Sequence, residues 1–149
     1  MRTIIKTILN IVIYFAIVAG LVFGLPHLLT KWLGTEYPMA AITSGSMWPA
    51  LHTGDLVFVQ GVTKEDLKVG DVIVFKNAET GVFTIHRIFS MGEKTLTTKG
   101  DANFDPDKPT PYENVVGRQL ILWGKKVHIP MLGRITMFAQ NIRINAGRP

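Results

Sequence analysis

The chain contains no cysteine among its 149 residues. A disulfide framework, a thiolate nucleophile and a metal site with cysteine ligands are therefore excluded. The sequence also has no internal repeat, no low-complexity stretch and no dense block of like charge. Its formal charge of +5 comes from 16 basic residues that are scattered along the chain, without the interleaved aromatic side chains of single-strand binders. We therefore expect no nucleic acid among its ligands.

A long apolar segment lies near the N-terminus, at residues 8–29, and contains only one amide and one histidine, Asn10 and His27. As a helix it would be about 33 Å long, enough to cross a hydrocarbon layer of about 30 Å. The alternative is a cleavable signal peptide, but the apolar run is longer than usual for one and no small-x-small cleavage site closes it. We therefore expect residues 1–34 to form a retained membrane anchor.

Basic residues flank this span unequally. Arg2 and Lys6 precede it together with the amino terminus, whereas Lys31 follows it and is partly offset by Glu36. Positive charge favours the cytoplasmic side of a membrane. We therefore expect a single-pass protein of the cell membrane, or of the endoplasmic reticulum membrane in a eukaryote. Its N-terminus would be cytoplasmic, and residues 35–149 would form one extracytoplasmic domain on the outer face.

From residue 35 onward the apolar block gives way to short alternating or β-branched runs, which are separated by Gly-Asp and Asn-rich turns. This pattern is typical of strands. We expect strands near residues 39–43, 56–60, 72–76, 82–89, 94–99 and 119–129. The domain is therefore predicted to be mainly β.

Beyond Pro130, apolar residues recur at helical spacing, at Leu132, Ile135, Phe138 and Ile142. This spacing predicts a short C-terminal amphipathic helix. Basic residues flank the apolar positions, so the helix would either lie on the membrane surface or pack against the domain.

Ser46 is the candidate nucleophile, within the run Thr-Ser-Gly-Ser-Met-Trp-Pro at residues 43–49. A serine hydroxyl is a poor nucleophile at neutral pH, so it needs a base within hydrogen-bond reach and donors for the oxyanion that it creates. Gly45 lets the backbone turn tightly, and Pro49 stiffens the exit. On its own, the run is more typical of a polar loop between two strands.

His86 is the candidate base among the four histidines, because the strand predicted at residues 82–89 would fix it against a neighbouring loop. On its own, a histidine in a strand is more often a structural residue. An acidic cluster with Asp101, Asp105 and Asp107 follows the next strand. It could orient a histidine or bind a cation. A calcium loop would need a closing glutamate, however, and prolines interrupt this run, so we expect no metal.

Taken in order, these segments resemble the boxes of the type I signal peptidases, in the archaeal and endoplasmic-reticulum-like branch that uses serine and histidine. The resembling segments are residues 44–49 (serine box), 53–57, 70–75, 85–88 (histidine box) and 98–103 with Asp107 (aspartate box). The N-terminal anchor also lies where this family has one. The resemblance implies the β-fold that signal peptidases share with LexA-like proteins.

The resemblance also implies a set of catalytic residues. Ser46 would attack the scissile carbonyl, His86 would act as the base, and an aspartate would orient the imidazole. Asp107 matches the later aspartate of the family's box, and Asp101 is the competing candidate. The Ser46 N–H and the Ser44 hydroxyl would hold the oxyanion.

The substrate that the resemblance implies is a signal peptide of the Ala-x-Ala type, bound as an extended strand. Ile42, Met47, Leu51 and Ile85 would line the shallow pockets for its small side chains. The implied partners are therefore the signal peptides of preproteins and the lipid bilayer, with the secretion translocon as a further candidate. No cofactor is implied.

Two other functions remain compatible with the sequence. One is a peptidase of the Ser-Lys type, although the available lysines, Lys76, Lys94 and Lys99, lie outside the box that holds His86. The other is a membrane-anchored β-domain that binds extended peptides without cleaving them.

Overall fold

A computed structural model describes residues 2–78, 80–135 and 137–138 of the protein. The helical segments are α1 (Arg2–Ala19), a π-helical turn (Gly20–Gly24) and α2 (Leu25–Leu33). The strands are β1 (Met39–Ala41), β2 (Leu56–Gln60), β3 (Val72–Lys76), β4 (Phe83–Met91), β5 (Thr95–Lys99), β6 (Thr110–Pro111), β7 (Val115–Gln119), β8 (Ile121–Leu122), β9 (Lys125–Lys126) and β10 (His128–Ile129). The prediction of a mainly β domain behind an apolar helix is confirmed.

The N-terminal helical segments form one apolar helix, and the part Ile4–Leu33 is long enough to cross a membrane. It is the one such helix among the described residues, and it contains the predicted span. Its large apolar side chains face outward, and Phe23, for example, is 76% exposed. A helix that is apolar and exposed on all sides fits a lipid environment, because water would disfavour that much apolar surface.

The helix changes its winding in front of Pro26. Proline has no N–H to donate to the preceding turn. Just before it, the Leu25 N–H donates to the carbonyl of Gly20, five residues back, which is the π-helical pattern. The helix therefore continues past the proline to Leu33 with one widened turn.

The end of α2 is attached directly to the β-domain. Gly34 closes the helix with φ +64° in the left-handed region, and its N–H donates to the Thr30 carbonyl at 3.0 Å. The Gly61 N–H, at the end of β2, donates to the Leu33 carbonyl at 2.7 Å. Leu33 itself is buried, and a side chain at Gly61 would overlap the Gly34 carbonyl. The helix and the sheet are therefore in backbone contact at this junction.

The strands form one curled antiparallel sheet and a separate hairpin. The strand order in the sheet is β1-β2-β7-β3-β4-β5-β6, and β10 also pairs with β2. β8 and β9 form the hairpin. In β3 and β4, Ile73 lies opposite His86 and Val74 lies opposite Ile85. Because strand residues alternate between faces, His86 and Ile85 point to opposite sides of the sheet.

Both faces of β3 are buried, against two hydrophobic cores. The first core contains Ile42, Met47, Leu51, Val57, Val59, Val72 and Val74. The second contains Leu67, Ile73, Phe75, Ile88 and Leu96. His86 shares a face with the second core, and its ring centroid is 6.4 Å from that of Phe75. Ile85 packs against the first core, so the two cores support neighbouring residues of β4 from opposite sides.

The prediction of a single strand at residues 119–129 is wrong. The chain reverses at Trp123 and Gly124, whose φ values are +50° and +75°, and the stretch divides into β8, β9 and β10. Most of β7 was also not predicted, because the predicted strand began only at residue 119 and glycine, as at Gly117, is more typical of turns than of strands. A side chain at Gly117 would overlap the Gln60 carbonyl, so glycine here permits the close approach of β2 and β7.

The predicted C-terminal helix is described only in part. Residues 133–135 and 137–138 are helical. Ile142, which the prediction also used, lies outside the described residues.

Candidate active site

The loop after β1 carries Ser46 and is anchored by its apolar neighbours. The Trp48 N–H donates to the Gly45 carbonyl at 3.0 Å, and the Leu51 N–H donates to the Met47 carbonyl at 2.9 Å. Met47 is 1% exposed and Leu51 is 2% exposed, so both side chains fix the loop to the first core. Ser46 therefore directly precedes a turn that two buried side chains attach to the core.

A second segment, the turn after β5, holds the same loop from the other side. The Ala102 N–H donates to the Ser46 carbonyl at 2.9 Å. Gly100 lies so close that a Cβ there would be 2.7 Å from the Ser46 carbonyl oxygen. Glycine at this position therefore lets the turn dock against the serine loop.

Ser46, His86 and Asp107 form a chain of hydrogen bonds. His86 Nε2 lies 3.1 Å from Ser46 Oγ, and His86 Nδ1 lies 2.5 Å from Asp107 Oδ2. Both distances are within hydrogen-bond range. His86 is 7% exposed, so its ring is shielded from water by the sheet. A hydroxyl, an imidazole and a carboxylate in this sequence of contacts can perform nucleophilic catalysis.

Asp107 is held in turn by Thr98 of β5. The Asp107 N–H donates to the Thr98 carbonyl at 2.7 Å, and Thr98 Oγ1 donates to Asp107 Oδ2 at 2.6 Å. The sequence analysis missed Thr98. A signal was available, because Leu96 and Thr98 occupy alternate positions of a strand, and a hydroxyl on the buried face of a strand needs a polar partner.

Asp101, the competing candidate for orienting His86, instead pairs with Arg87. Arg87 Nε donates to Asp101 Oδ1 at 2.7 Å, and Arg87 Nη2 donates to Asp101 Oδ2 at 2.5 Å. This bidentate contact raises the pKa of Arg87 above its usual value, although partial burial opposes the shift. Because Arg87 and His86 point to opposite faces of β4, the carboxylate of Asp101 lies on the Arg87 side. Asp105 is exposed.

Ser44 lies beside the nucleophile candidate. Its Oγ is 3.1 Å from Ser46 Oγ, and its side chain is exposed. A hydroxyl in this place can rotate to donate to an oxyanion that forms at the attacked carbonyl. The oxyanion role of Ser44 and of the Ser46 N–H stays a prediction.

A groove of about 130 Å³ opens beside Ser46 and His86. Its lining residues are Ala41, Ile42, Thr43, Ser44, Ser46, Met47, Phe83, Thr84, Ile85 and His86. Three of the four residues predicted to contact the substrate therefore line it. The fourth, Leu51, lies within the first core at 2% exposed and is not among the lining residues, because the turn that begins at Met47 directs it inward.

A larger recess of about 590 Å³ continues the groove along β1 and the start of β4. The two cavities share Ala41, Thr43, Phe83 and Ile85. Tyr37 also lines the recess, and its ring centroid is 4.8 Å from that of Phe83. An extended peptide that lies along this surface would meet mostly apolar side chains.

The lysines of the Ser-Lys alternative differ in their exposure. Lys76 and Lys94 are exposed, whereas Lys99 is half-buried in β5, opposite Arg87 of β4. A lysine base must be desolvated to lose its charge, and an exposed position does not provide that. The side chain that lies beside Ser46 Oγ is instead that of His86, whose Nε2 is 3.1 Å away.

Comparison with known families identifies the chain. The sequence profile described as "Signal peptidase, peptidase S26" matches residues 3–111. The match includes most of the N-terminal apolar helix, the serine loop, His86 and Asp107. The chain belongs to the S26 signal peptidase family. It is thus a member of a peptidase family, and the resemblance inferred from the sequence is confirmed.

The S26 relatives that align with this chain are named as subunits of a complex. The chain is 30% identical over 111 residues to the signal peptidase complex catalytic subunit SEC11C of Homo sapiens, which covers 70% of this chain and 58% of the human protein. It is 32% identical over 111 residues to the catalytic subunit sec11 of Dictyostelium discoideum, covering 70% and 62% of the two chains. It is 31% identical over 134 residues to SEC11 of Lachancea thermotolerans, covering 80% and 79%. The chain therefore spans little more than half of the mammalian relative.

Proposed function

We propose that this protein is a membrane-bound signal peptidase, a serine endopeptidase that removes signal peptides from secreted preproteins. The observation that carries the proposal is the hydrogen-bonded chain of Ser46, His86 and Asp107 beside an open groove. Membership of the S26 family supports it, because the family is one of signal peptidases.

The proposed reaction begins with attack of Ser46 Oγ on the scissile carbonyl, while His86 Nε2 takes the hydroxyl proton. Asp107 holds the Nδ1–H of the imidazole and stabilises the positive charge that forms on the ring. His86 then gives the proton to the leaving amine, and water hydrolyses the acyl-enzyme by the same route. The Ser46 N–H and the Ser44 hydroxyl would bind the oxyanion, and each donor in such a site is worth roughly 3 to 4 kcal/mol.

The substrate in this proposal binds as an extended strand in the groove between β1 and the start of β4. Backbone hydrogen bonds would supply affinity, and alternate side chains would enter the apolar recesses. Ile42, Met47 and Ile85 line the groove near Ser46. By the family resemblance, these side chains would form the shallow pockets for the small residues of an Ala-x-Ala pattern.

We also propose the membrane arrangement inferred from the charges, with residues 1–34 as the anchor and residues 35–149 as the peptidase domain on the outer face. A signal peptide is itself an apolar membrane segment. Holding enzyme and substrate in one bilayer raises their effective concentration. The relatives are named catalytic subunits of a complex, so we propose that this chain also works with partner subunits, near the secretion translocon.

The proposal is tested with the full chain in detergent micelles and one preprotein that ends its signal peptide in Ala-x-Ala. We expect one new N-terminus directly after this motif, and labelling of the protein by a fluorophosphonate at Ser46. Ser46→Ala and His86→Ala should abolish both. Ser90→Ala is the matched control, because Ser90 is an exposed serine of β4 and should be replaceable without loss.

Two outcomes would contradict the proposal. If the Ser46→Ala variant cleaved the preprotein at the parent rate, Ser46 would not be the nucleophile. A chain that binds the preprotein in its groove, yet neither cleaves it nor reacts with the fluorophosphonate, would be the non-catalytic peptide-binding domain instead.

A further inference from the structure

We infer that Thr98 is a positioning residue for the reaction, and that its hydroxyl fixes the carboxylate of Asp107 in the orientation that serves His86. The inference rests on the proposed Ser-His-Asp mechanism and extends it by one residue. Thr98 does not contact the substrate groove and would act only through Asp107.

Two hydrogen bonds join Thr98 to Asp107. The Asp107 N–H donates to the Thr98 carbonyl at 2.7 Å, and Thr98 Oγ1 donates to Asp107 Oδ2 at 2.6 Å. The first bond fixes the backbone of Asp107. The second fixes its side-chain torsion, because the oxygen that Thr98 holds is the same oxygen that meets His86 Nδ1 at 2.5 Å. One carboxylate oxygen is therefore held by a donor on each side.

Asp107 needs such support because its own segment is irregular. It lies between β5 and β6, within residues 100–109, where the chain has no helix or strand. Its side chain is 24% exposed, so it is less confined by packing than a fully buried side chain. A carboxylate in this situation can adopt several torsions, and only some of them direct an oxygen at His86.

Thr98, in contrast, is among the most fixed residues of the described chain. It is 0% exposed and lies in β5 opposite Ile88 of β4, in the same sheet that carries His86. A positioning group on a rigid strand is more effective than one on a loop, since its own place is set by the sheet ladder. Because Thr98 is fixed in the sheet, its hydrogen bonds hold the loop residue Asp107 in a fixed position relative to His86.

Packing alone does not account for a threonine here. Valine has almost the same shape, suits a buried strand position and carries no polar atom that must be satisfied. The hydroxyl costs free energy when it is buried unless it is hydrogen-bonded, and the carboxylate of Asp107 is the acceptor that satisfies it. The contact with Asp107 thus explains the hydroxyl, whereas burial explains only the β-branched shape.

The test removes the hydroxyl and keeps the shape. In the full chain, in micelles, Thr98→Val should lower kcat for preprotein cleavage by about 10- to 100-fold, the range expected for losing a hydrogen bond to a charged group. KM should stay the same, because the groove is untouched. Thr98→Ser keeps the hydroxyl, loses a buried methyl, and should cleave within about 3-fold of the parent rate. Thr110→Val is the matched control, because Thr110 is also a buried strand threonine, but its hydroxyl donates to the Lys108 carbonyl, at 3.4 Å, and not to Asp107.

A second comparison separates positioning from a general effect on folding. If Thr98 acts through Asp107, then Thr98→Val should cause no further loss of kcat in an Asp107→Ala background. Melting temperatures are recorded for every variant. If Thr98→Val does not fold, Thr98→Ala and Thr98→Ser give the same comparison, since both lose the methyl and only serine keeps the hydroxyl.

The inference and the proposed function can fail separately. Cleavage that survives Ser46→Ala would refute the mechanism itself. If Ser46→Ala is inactive while Thr98→Val cleaves at the parent rate, the mechanism stands and the role of Thr98 is refuted. Activities that follow the melting temperature rather than the hydroxyl, or equal losses in the parent and the Asp107→Ala background, would also refute it.

Discussion

Replacing Gly100 by alanine tests whether the turn after β5 sets the position of the nucleophile. The added Cβ would lie 2.7 Å from the Ser46 carbonyl oxygen and 2.8 Å from Asn103 Nδ2. The asparagine amide can rotate away, whereas the carbonyl is part of the serine loop. The strain therefore falls mainly on Ser46, and on the 2.9 Å hydrogen bond that its carbonyl accepts from the Ala102 N–H.

The size of the effect follows from the distances. Ordinary contact for a Cβ begins at 3.4 Å, so the two segments must separate by about 0.7 Å. A displacement of 1 Å in a reacting group costs about 100-fold in rate. We expect kcat/KM to fall by about 10- to 100-fold. Overpacking of this kind also costs about 1 to 3 kcal/mol of unfolding free energy.

Cleavage kinetics and melting curves of the full-length Gly100→Ala variant test this expectation when a matched control variant is measured beside it. Gly117→Ala creates a similar overlap, with the Gln60 carbonyl, but does so between β2 and β7. It should lower the melting temperature and leave kcat of the folded protein unchanged. If Gly100→Ala keeps full activity, or if both variants lose activity equally, the turn does not position Ser46 and the reasoning is wrong.

Two further substitutions examine the aspartates. Asp101→Asn should lower the melting temperature and cost about 1 to 3 kcal/mol of unfolding free energy, because it removes the carboxylate charge and one of the two hydrogen bonds between Asp101 and the partly buried Arg87, which also donates to the Gly70 carbonyl. Activity should fall as well, since Asp101 belongs to the turn that holds Ser46. Asp71→Asn, which weakens the 3.2 Å ion pair with Arg118, is the control and should change stability alone. Asp107→Asn should keep the fold and lower kcat by about 10- to 100-fold. Thr98 and His86 both donate to Oδ2, so they would keep the oxygen of the new amide in that place. A loss of kcat near 10⁴-fold, the value for a wrong histidine tautomer, would show that the amide nitrogen faces His86 instead.

Much of the sheet could be predicted from the sequence, because local signals and tertiary structure agree there. β2 and β3 have the predicted bounds, since Gly-Asp turns begin both strands and β-branched residues fill them. β7 was missed because Gly117 is unfavourable in a strand by local rules, and only its contact with Gln60 explains it. The reversal at Trp123 was missed because a tryptophan rarely adopts positive φ.

The candidate site divides in the same way. Ser46 and His86 could be named as candidates because their segments resemble the serine and histidine boxes in order, whereas the tight turn and the strand alone would not have selected them. Asp101 and Asp107 could not be separated, because the choice depends on the face of β4 to which each loop carboxylate returns. His86 and Arg87 are neighbours on opposite faces, and one aspartate pairs with each. The partner of each aspartate therefore depends on how the strands are aligned with one another, and the residues next to either aspartate do not determine it.

The backbone contact between Gly61 and the end of the membrane helix has a consequence for where a substrate can be cut. Residues 34–38 connect Leu33 to β1, and the contact with Gly61 holds the start of this connection against the sheet. If the helix is a membrane anchor, as we propose, this contact would restrict the motion of the domain above the bilayer and keep the height of Ser46 above the lipid surface nearly constant. This height would set how many extended residues must lie between the apolar segment of a substrate and its scissile bond. The enzyme would therefore select a signal peptide by the length of this extended segment as well as by its small side chains.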